Sequence, residues 1–177
     1  ARTKYMLDKL EPTLYESGYY YNNKFRKQKE HTLHLAALDW ENLCKGQLLS
    51  YDQVVRIYGY MHVDKTKLKS MLKDSMYDMD TLKKHHGLKT NAVWFEAFDA
   101  APRREINYLK QMRRRGEKLN QAPRITLSTI HGAKGGEAEN VVLLTDLSFN
   151  TMRSYEKNPD DENRLFYVGA TRTKEHL

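Results

Sequence analysis

The chain has 177 residues, a hydrophobic fraction of 40%, a charged fraction of 30% and a formal net charge of +7. These values predict a soluble chain of one domain, or one domain with a large insertion. No apolar run approaches the roughly 20 residues that a membrane span needs. The single cysteine, Cys44, excludes an internal disulfide and fits a reducing compartment, while the basic balance favours a polyanionic partner.

The first two thirds of the chain read mainly as helix. Residues 3–17 predict a helix, because apolar side chains recur there at helical spacing and Gly18 supplies a C-terminal signal. Residues 19–21, all tyrosine, predict a short strand, and residues 22–121 are mostly helical by pattern. Within them, helices are predicted at residues 32–43, 51–60, 65–73, 92–99 and 103–115.

Two of these helices have suitable N-caps in Ser50 and Asp64, whose side chains can accept hydrogen bonds from the first helical turn. In the helix at 32–43, Leu35, Leu38 and Leu43 are predicted to lie on one side, with Trp40 nearby. The large apolar ring of Trp40 is also interpreted as a core group rather than a platform for stacking bases.

Residues 122–177 return to an α/β pattern, with strands predicted at 125–129 and 141–145 and a helix at 162–171. The second strand runs into Asp146, which superficially resembles a magnesium-holding strand. The chain has no G-x-x-x-x-G-K-[ST] phosphate loop, so Asp146 is interpreted as part of a surface turn.

Two segments of this last part carry polar groups at the edge of an apolar element, where a phosphate or a nucleic acid could be held. Residues 129–137 read Thr-Ile-His-Gly-Ala-Lys-Gly-Gly-Glu and precede an apolar run. Residues 162–173 read Glu-Asn-Arg-Leu-Phe-Tyr-Val-Gly-Ala-Thr-Arg-Thr.

In this order and at this spacing, the two segments resemble two late motifs of UvrD/Rep-like superfamily 1 DNA helicases. The family patterns are roughly T-hydrophobic-H-S-A-K-G-L-E and E-x-x-R-L-hydrophobic-Y-V-x-x-T-R-A. The chain departs from them at Gly132, Gly136 and Thr173. The resemblance implies an α/β fold. It would be a partial RecA-like (P-loop NTPase-type) parallel sheet domain with a mostly helical insertion. Its parts would be residues 1–21 and 122–177 for the second RecA-like domain, and residues 22–121 for the helical insertion subdomain.

The resemblance also implies catalytic and nucleotide-binding residues. Arg172 would be an arginine finger at the γ-phosphate and Arg2 a second arginine facing it, since a guanidinium is planar, always charged and rich in donors. Glu137 would accept a hydrogen bond from the ribose, and Gly135 and Gly136 would let the backbone approach the nucleotide closely.

Three further residues of the first motif, Thr129, His131 and Lys134, are expected to bind DNA or to couple it to the nucleotide, because their side chains can donate to a backbone phosphate. Tyr167 is expected to pack in the core and orient Arg172. No metal ligands are assigned, because the histidine pairs lack companion ligands at suitable spacing.

The function implied by the resemblance is that of the C-terminal motor domain of an ATP-dependent DNA helicase, which translocates 3′ to 5′ on single-stranded DNA and unwinds duplex DNA. ATP with Mg²⁺ would be held mainly by an N-terminal RecA-like domain of the same protein, so this chain alone is expected to be inactive. We expect a cytoplasmic location, of bacterial or phage type, and no membrane partner.

Two alternatives stay open: a subunit of a helicase–nuclease, and a non-catalytic module that binds nucleic acid or protein with a helicase-like fold. A basic run at residues 103–118, with seven cations and two acids, could follow a DNA backbone. A solvated helix face is the favoured interpretation of that run.

Overall fold

The computed structural model describes residues 1–26, 32–119 and 121–177. The chain divides into two compact units, one made of Ala1–Gln28 with Asn120–Leu177 and the other of Lys29–Leu119. The α-helices of the described residues are α1 (Lys4–Glu16), α2 (Thr32–Cys44), α3 (Tyr51–Tyr58), α4 (Met79–His85), α5 (Trp94–Ala97), α6 (Arg103–Arg114), α7 (Phe149–Lys157) and α8 (Pro159–Ala170). The strands are β1 (Tyr21–Asn23), β2 (Leu49–Ser50), β3 (Met76–Tyr77), β4 (Ile125–Leu127), β5 (Ala138–Asn140) and β6 (Thr173–His176), and two 3₁₀ helices cover Lys65–Ser70 and His131–Ala133.

The first unit is α/β, with short parallel strand pairs. β1 pairs parallel with β4, placing Tyr21 opposite Ile125 and Asn23 opposite Leu127. β5 pairs parallel with β6, placing Ala138 opposite Thr173. Parallel neighbours require a crossover connection. The helices α7 and α8 supply it between β5 and β6, while the chain between β1 and β4 runs through the second unit. The predicted fold class, a mixed α/β domain with parallel pairing, is confirmed.

The strand predicted at residues 141–145 is wrong. Residues 141–148 form no regular element, and the strand β5 lies just before them. A strand exists only where a neighbour pairs with it. The ladder with β6 ends at Val141, whose N–H donates to the carbonyl of His176 at 2.9 Å. The apolar run that follows packs through its side chains instead, and Leu143 lies against α8.

α8 carries the second motif and begins three residues before the predicted start. Proline stands at its N-terminus and three acidic residues fill its first turn, which suits the positive end of the helix dipole. Near its other end Gly169 is buried, and a Cβ atom there would lie 3.0 Å from Cδ1 of Leu143 and 3.4 Å from Ile130. This close approach packs α8 against the first motif.

Tyr167 was expected in the core, but it is 70% exposed. The helical repeat explains the difference. Glu162 and Gly169 are the buried residues of α8 and lie almost on one line, whereas Tyr167 is rotated by about 140° from Glu162. The phenol ring therefore points to solvent and cannot pack under Arg172.

The second unit is a helical core with one short strand pair, in which β2 is antiparallel to β3. Trp40 is buried as predicted, and its indole N–H donates to the carbonyl of Ala92 at 2.9 Å. The largest fully buried side chains of this unit are Trp40, Tyr58, Phe98, Leu43, Leu49, Ile57, Leu82, Met112 and Val54.

Both predicted N-caps of this unit are present. The side chain of Gln53 accepts from the N–H of Ser50 at 2.9 Å, half of a capping box at the start of α3. Asp64 accepts from the N–H of Thr66 at 3.0 Å, although the segment it caps is a 3₁₀ helix and not an α-helix.

Leu35 and Leu38 do not share a side with Leu43 as predicted, since both are exposed whereas Leu43 is buried. The buried stripe of α2 consists of Leu33, Ala36, Ala37, Asp39, Trp40 and Leu43. This stripe contains the large indole of Trp40 and two alanines, whose small side chains allow close packing. Leu35 and Leu38 are rotated by about 140° and 160° from Trp40 around the helix axis, so both lie off the buried face.

Candidate functional site

The first motif forms a tight loop held together by Thr129. This residue is buried, its hydroxyl accepts from the N–H of Gly132 at 3.1 Å, and its carbonyl accepts from the N–H of Ala133 at 3.0 Å. The chain turns here through the 3₁₀ helix His131–Ala133. The Thr129 hydroxyl therefore shapes the loop from within, while His131 and Lys134 lie exposed on its surface.

Gly132 stands where the resembling family carries a serine, and the structure gives a steric reason. A Cβ atom at this position would lie 2.8 Å from the hydroxyl oxygen of Ser128 and 3.3 Å from the ring of Phe25. Lys24 also reaches this turn, and its ammonium donates to the carbonyl of Gly132 at 3.1 Å. The space of a side chain is thus already occupied by its neighbours.

The glycine pair that follows differs in what each member requires. Gly135 has φ +81°, a left-handed conformation that glycine adopts at little cost. Gly136 is not in that region, and its N–H donates to the carbonyl of Ala133 at 2.9 Å. Both are exposed, and Glu137 beyond them is exposed as well, with its carboxylate 3.3 Å from the ammonium of Lys174.

The second motif meets the first along β5 and β6. The N–H of Ala138 donates to the carbonyl of Arg172 at 3.0 Å, so the backbone of the predicted finger lies directly beside the loop that carries Glu137. The Arg172 side chain folds back onto α8. Its Nε donates to the carbonyl of Val168 at 3.0 Å and its Nη2 to the hydroxyl of Thr171 at 3.2 Å. A cation at this helix end also suits the negative end of the helix dipole.

The N-terminal segment joins the same unit. The N–H of Ile130 donates to the carbonyl of Ala1 at 2.9 Å, which ties this segment to the first motif. Arg2 binds the buried carboxylate of Glu162 at two points, with Nε to Oε2 at 2.7 Å and Nη2 to Oε1 at 2.8 Å. The hydrogen bond from Arg2 lowers the pKa of Glu162.

The predicted site residues thus all lie in the first unit. The glycine pair, Glu137 and Arg172 lie around β5 and β6. Arg2 lies at the N-terminus of α8, where it binds Glu162, and Thr129, His131 and Lys134 lie in the turn of the first motif. Glu162 was not predicted as a site residue, because nothing in its local sequence shows that its partner lies 160 positions away.

Neither a metal cluster nor a membrane span occurs within the described ranges. There, no group of three or more histidine, cysteine, aspartate or glutamate side chains could hold a metal ion. No helix in the described parts of the chain has the length and apolar character needed to cross a lipid bilayer.

The fold and the meeting of two polar motifs beside a parallel strand pair define the general class of this chain as a partial RecA-like domain. A family model described as the UvrD-like helicase C-terminal domain matches residues 8–177. The chain belongs to this family, and the resemblance seen in its two motifs is confirmed. Comparison with curated proteins and with solved structures gave no match in either set.

Proposed function

We propose that the chain is the C-terminal motor domain of an ATP-dependent DNA helicase that translocates on single-stranded DNA and unwinds duplex DNA. ATP with Mg²⁺ is held mainly by an N-terminal RecA-like domain, and this chain completes the nucleotide site from the other side of a cleft. The observation that supports the proposal most is the hydrogen bond between Ala138 and Arg172, which sets the arginine beside the glycine loop and Glu137.

Arg172 and Arg2 serve in this proposal as donors to the γ-phosphate. Ten residues of α8 and its C-terminus separate Glu162 from Arg172, an axial rise of about 15 Å. The Arg172 side chain reduces this separation, since its Nε lies against the carbonyl of Val168, one turn back along α8. The two hydrogen bonds that hold the Arg172 guanidinium are to neutral groups, which a charged phosphate can replace.

Glu137 is proposed to accept a hydrogen bond from the ribose, with Gly135 and Gly136 giving the nucleotide close access to the backbone. The ion pair between Glu137 and Lys174 is more than half exposed on both sides. Exposed pairs of this kind contribute little to stability, about 0–1 kcal/mol, so a ligand can displace the lysine. This site offers donors and acceptors for a sugar and a phosphate.

Residues of the first motif have two proposed roles, contact with DNA and coupling between the DNA and the nucleotide. His131 and Lys134 are exposed and carry donors suited to a DNA phosphate. Thr129 is buried and holds the turn through Gly132, so we propose that it transmits changes between the DNA side and the nucleotide side of the loop. The helical unit Lys29–Leu119 is proposed to be the insertion subdomain of this motor domain.

The test uses the full-length protein that contains this chain and compares ATP hydrolysis with and without single-stranded DNA for the natural sequence and for Arg172→Ala. An arginine finger contributes on the order of 10³-fold or more to turnover. Arg153→Ala is the matched control, because this arginine lies exposed on α7, outside both motifs. We expect DNA-stimulated turnover to survive in the control and to be lost in Arg172→Ala. Undiminished turnover in Arg172→Ala would contradict the finger assignment.

A further inference from the structure

Arg2 is held by Glu162 from one side of its guanidinium. Both hydrogen bonds, at 2.7 and 2.8 Å, use the edge formed by Nε and Nη2. A two-point contact of this kind fixes the plane and the direction of the group, which a single bond does not. Glu162 is only 7% exposed, so the anchor itself is embedded in the packed unit.

The other edge of the Arg2 guanidinium keeps its donors. Arginine has five N–H donors, and the pair with Glu162 uses the one on Nε and one of the two on Nη2. Both N–H groups of Nη1 and the second of Nη2 point away from the carboxylate. The Arg2 side chain is 25% exposed, which leaves this second edge within reach of a ligand.

Arg2 is also fixed at its backbone. The carbonyl of Ala1 accepts from the N–H of Ile130, inside the first motif, while the side chain of Arg2 is bound to α8, inside the second motif. Glu162 therefore lies at the junction of three segments that are distant in sequence.

We infer that Glu162 is the positioning residue for Arg2, holding its guanidinium side-on so that the Nη1 edge faces the γ-phosphate of a bound nucleoside triphosphate. The inference rests on the proposed function and names a residue that the motif roles do not include. The ion pair with Glu162 partly neutralises the charge of Arg2. It also fixes the orientation of the guanidinium, which would be misplaced most of the time on a flexible side chain.

The test compares Arg2→Ala, Glu162→Gln and the double variant in the full-length protein. The amide that Glu162→Gln introduces has nearly the shape of the carboxylate but keeps only one acceptor for Arg2, so the two-point contact is lost. Turnover at saturating ATP and single-stranded DNA should fall by about 10- to 100-fold in Glu162→Gln, the range expected when a reacting group is displaced by about 1 Å. The double variant should be no slower than Arg2→Ala alone, because both changes remove one function.

The ratio of ATP affinity to ADP affinity distinguishes a positioning role of Glu162 from a purely structural ion pair. Arg2 and Glu162 act at the γ-phosphate in this inference, so the ratio of ATP affinity to ADP affinity should fall in Glu162→Gln to the value for Arg2→Ala. Glu11→Gln is the matched control. Glu11 is also a mostly buried carboxylate that pairs with an arginine, Arg26 at 2.6 Å, in the same unit. This control should keep the natural turnover and the natural ATP to ADP ratio.

Two outcomes overturn the inference, and they differ in what they say about the proposed function. If Arg2→Ala is impaired but Glu162→Gln keeps natural turnover and discrimination, the positioning role is wrong and the helicase function stands. If the natural full-length protein hydrolyses no ATP with single-stranded DNA, both fail. If Glu162→Gln does not fold, Glu162→Asp replaces it. The Asp variant keeps the charge but draws the guanidinium back by one methylene, and it should lose turnover while keeping its folded state.

Discussion

The substitution Gly132→Ser tests the packing of the first motif most directly, because it restores the residue that the helicase family usually has. Gly132 does not adopt a positive φ, so its backbone accepts a side chain without conformational strain. The obstacle is steric. The new Cβ atom would lie 2.8 Å from the hydroxyl oxygen of Ser128, below the 3.0 Å that real Cβ contacts respect.

The size of the destabilisation depends on which neighbouring groups must move. Ser128 can rotate its hydroxyl away, but it then loses its hydrogen bond of 3.1 Å to the carbonyl of Thr129. The ring of Phe25 and the hydroxyl of Thr129, both 3.3 Å from the new atom, must also give way. The lost hydrogen bond of Ser128 contributes about 0.5–1.5 kcal/mol, which sets the scale of the cost because Gly132 itself is exposed. We expect Gly132→Ser to lower the free energy of unfolding of this unit by an amount in that range.

The assay is urea denaturation of the full-length protein, in which the midpoint should fall while the slope stays unchanged. Ser128→Ala provides the matched control, because it removes the nearest obstructing atom. In the background of Ser128→Ala, Gly132→Ser should cost clearly less than it does in the natural sequence, a coupling typical of residues in contact. Equal costs in both backgrounds, or no cost in the natural sequence, would refute the steric explanation of the glycine.

Two further predictions concern stability. Gly135→Ala should cost about 1–2 kcal/mol in urea denaturation, because Gly135 has φ +81°, whereas Gly136→Ala should cost less since Gly136 has no positive φ. The second concerns pH. Arg2 lowers the pKa of Glu162, so the stabilisation from this pair is complete above the ordinary pKa of a glutamate and is lost as the pH falls through the lowered value. The urea midpoint of the natural protein should therefore fall more steeply between neutral and acidic pH than that of Glu162→Gln; parallel curves would contradict this.

Features set by neighbours in sequence could be predicted without a structure. The helices α1 and α8 follow from apolar spacing and end signals within the segments themselves, and the cap of α3 at Ser50 follows from a local hydrogen-bonding preference. The two motifs are also local patterns, and their resemblance to the UvrD-like helicase C-terminal domain is confirmed. The roles assigned to individual residues within them stay predictions.

Features that depend on a distant partner could not be predicted in this way. The apolar residues 141–145 suit a strand, yet a strand needs a neighbour for its hydrogen bonds, and only the packing of the chain decides whether one is present. The prediction for the buried face of α2 was wrong for a similar reason. The local spacing of apolar residues allowed more than one apolar stripe, and the stripe that is buried is the one that contains Trp40.

The sequence by itself determined the class of this protein, because the motif residues follow one another along the chain and carry their chemistry in their order. Only the tertiary structure decided how that chemistry is held. Arg2 and Glu162 lie 160 residues apart, and their two-point pair exists because the N-terminal segment, the first motif and α8 pack into one unit. An ion pair of this kind forms between residues that are close in space. The sequence around either residue does not show which distant residue will be its partner.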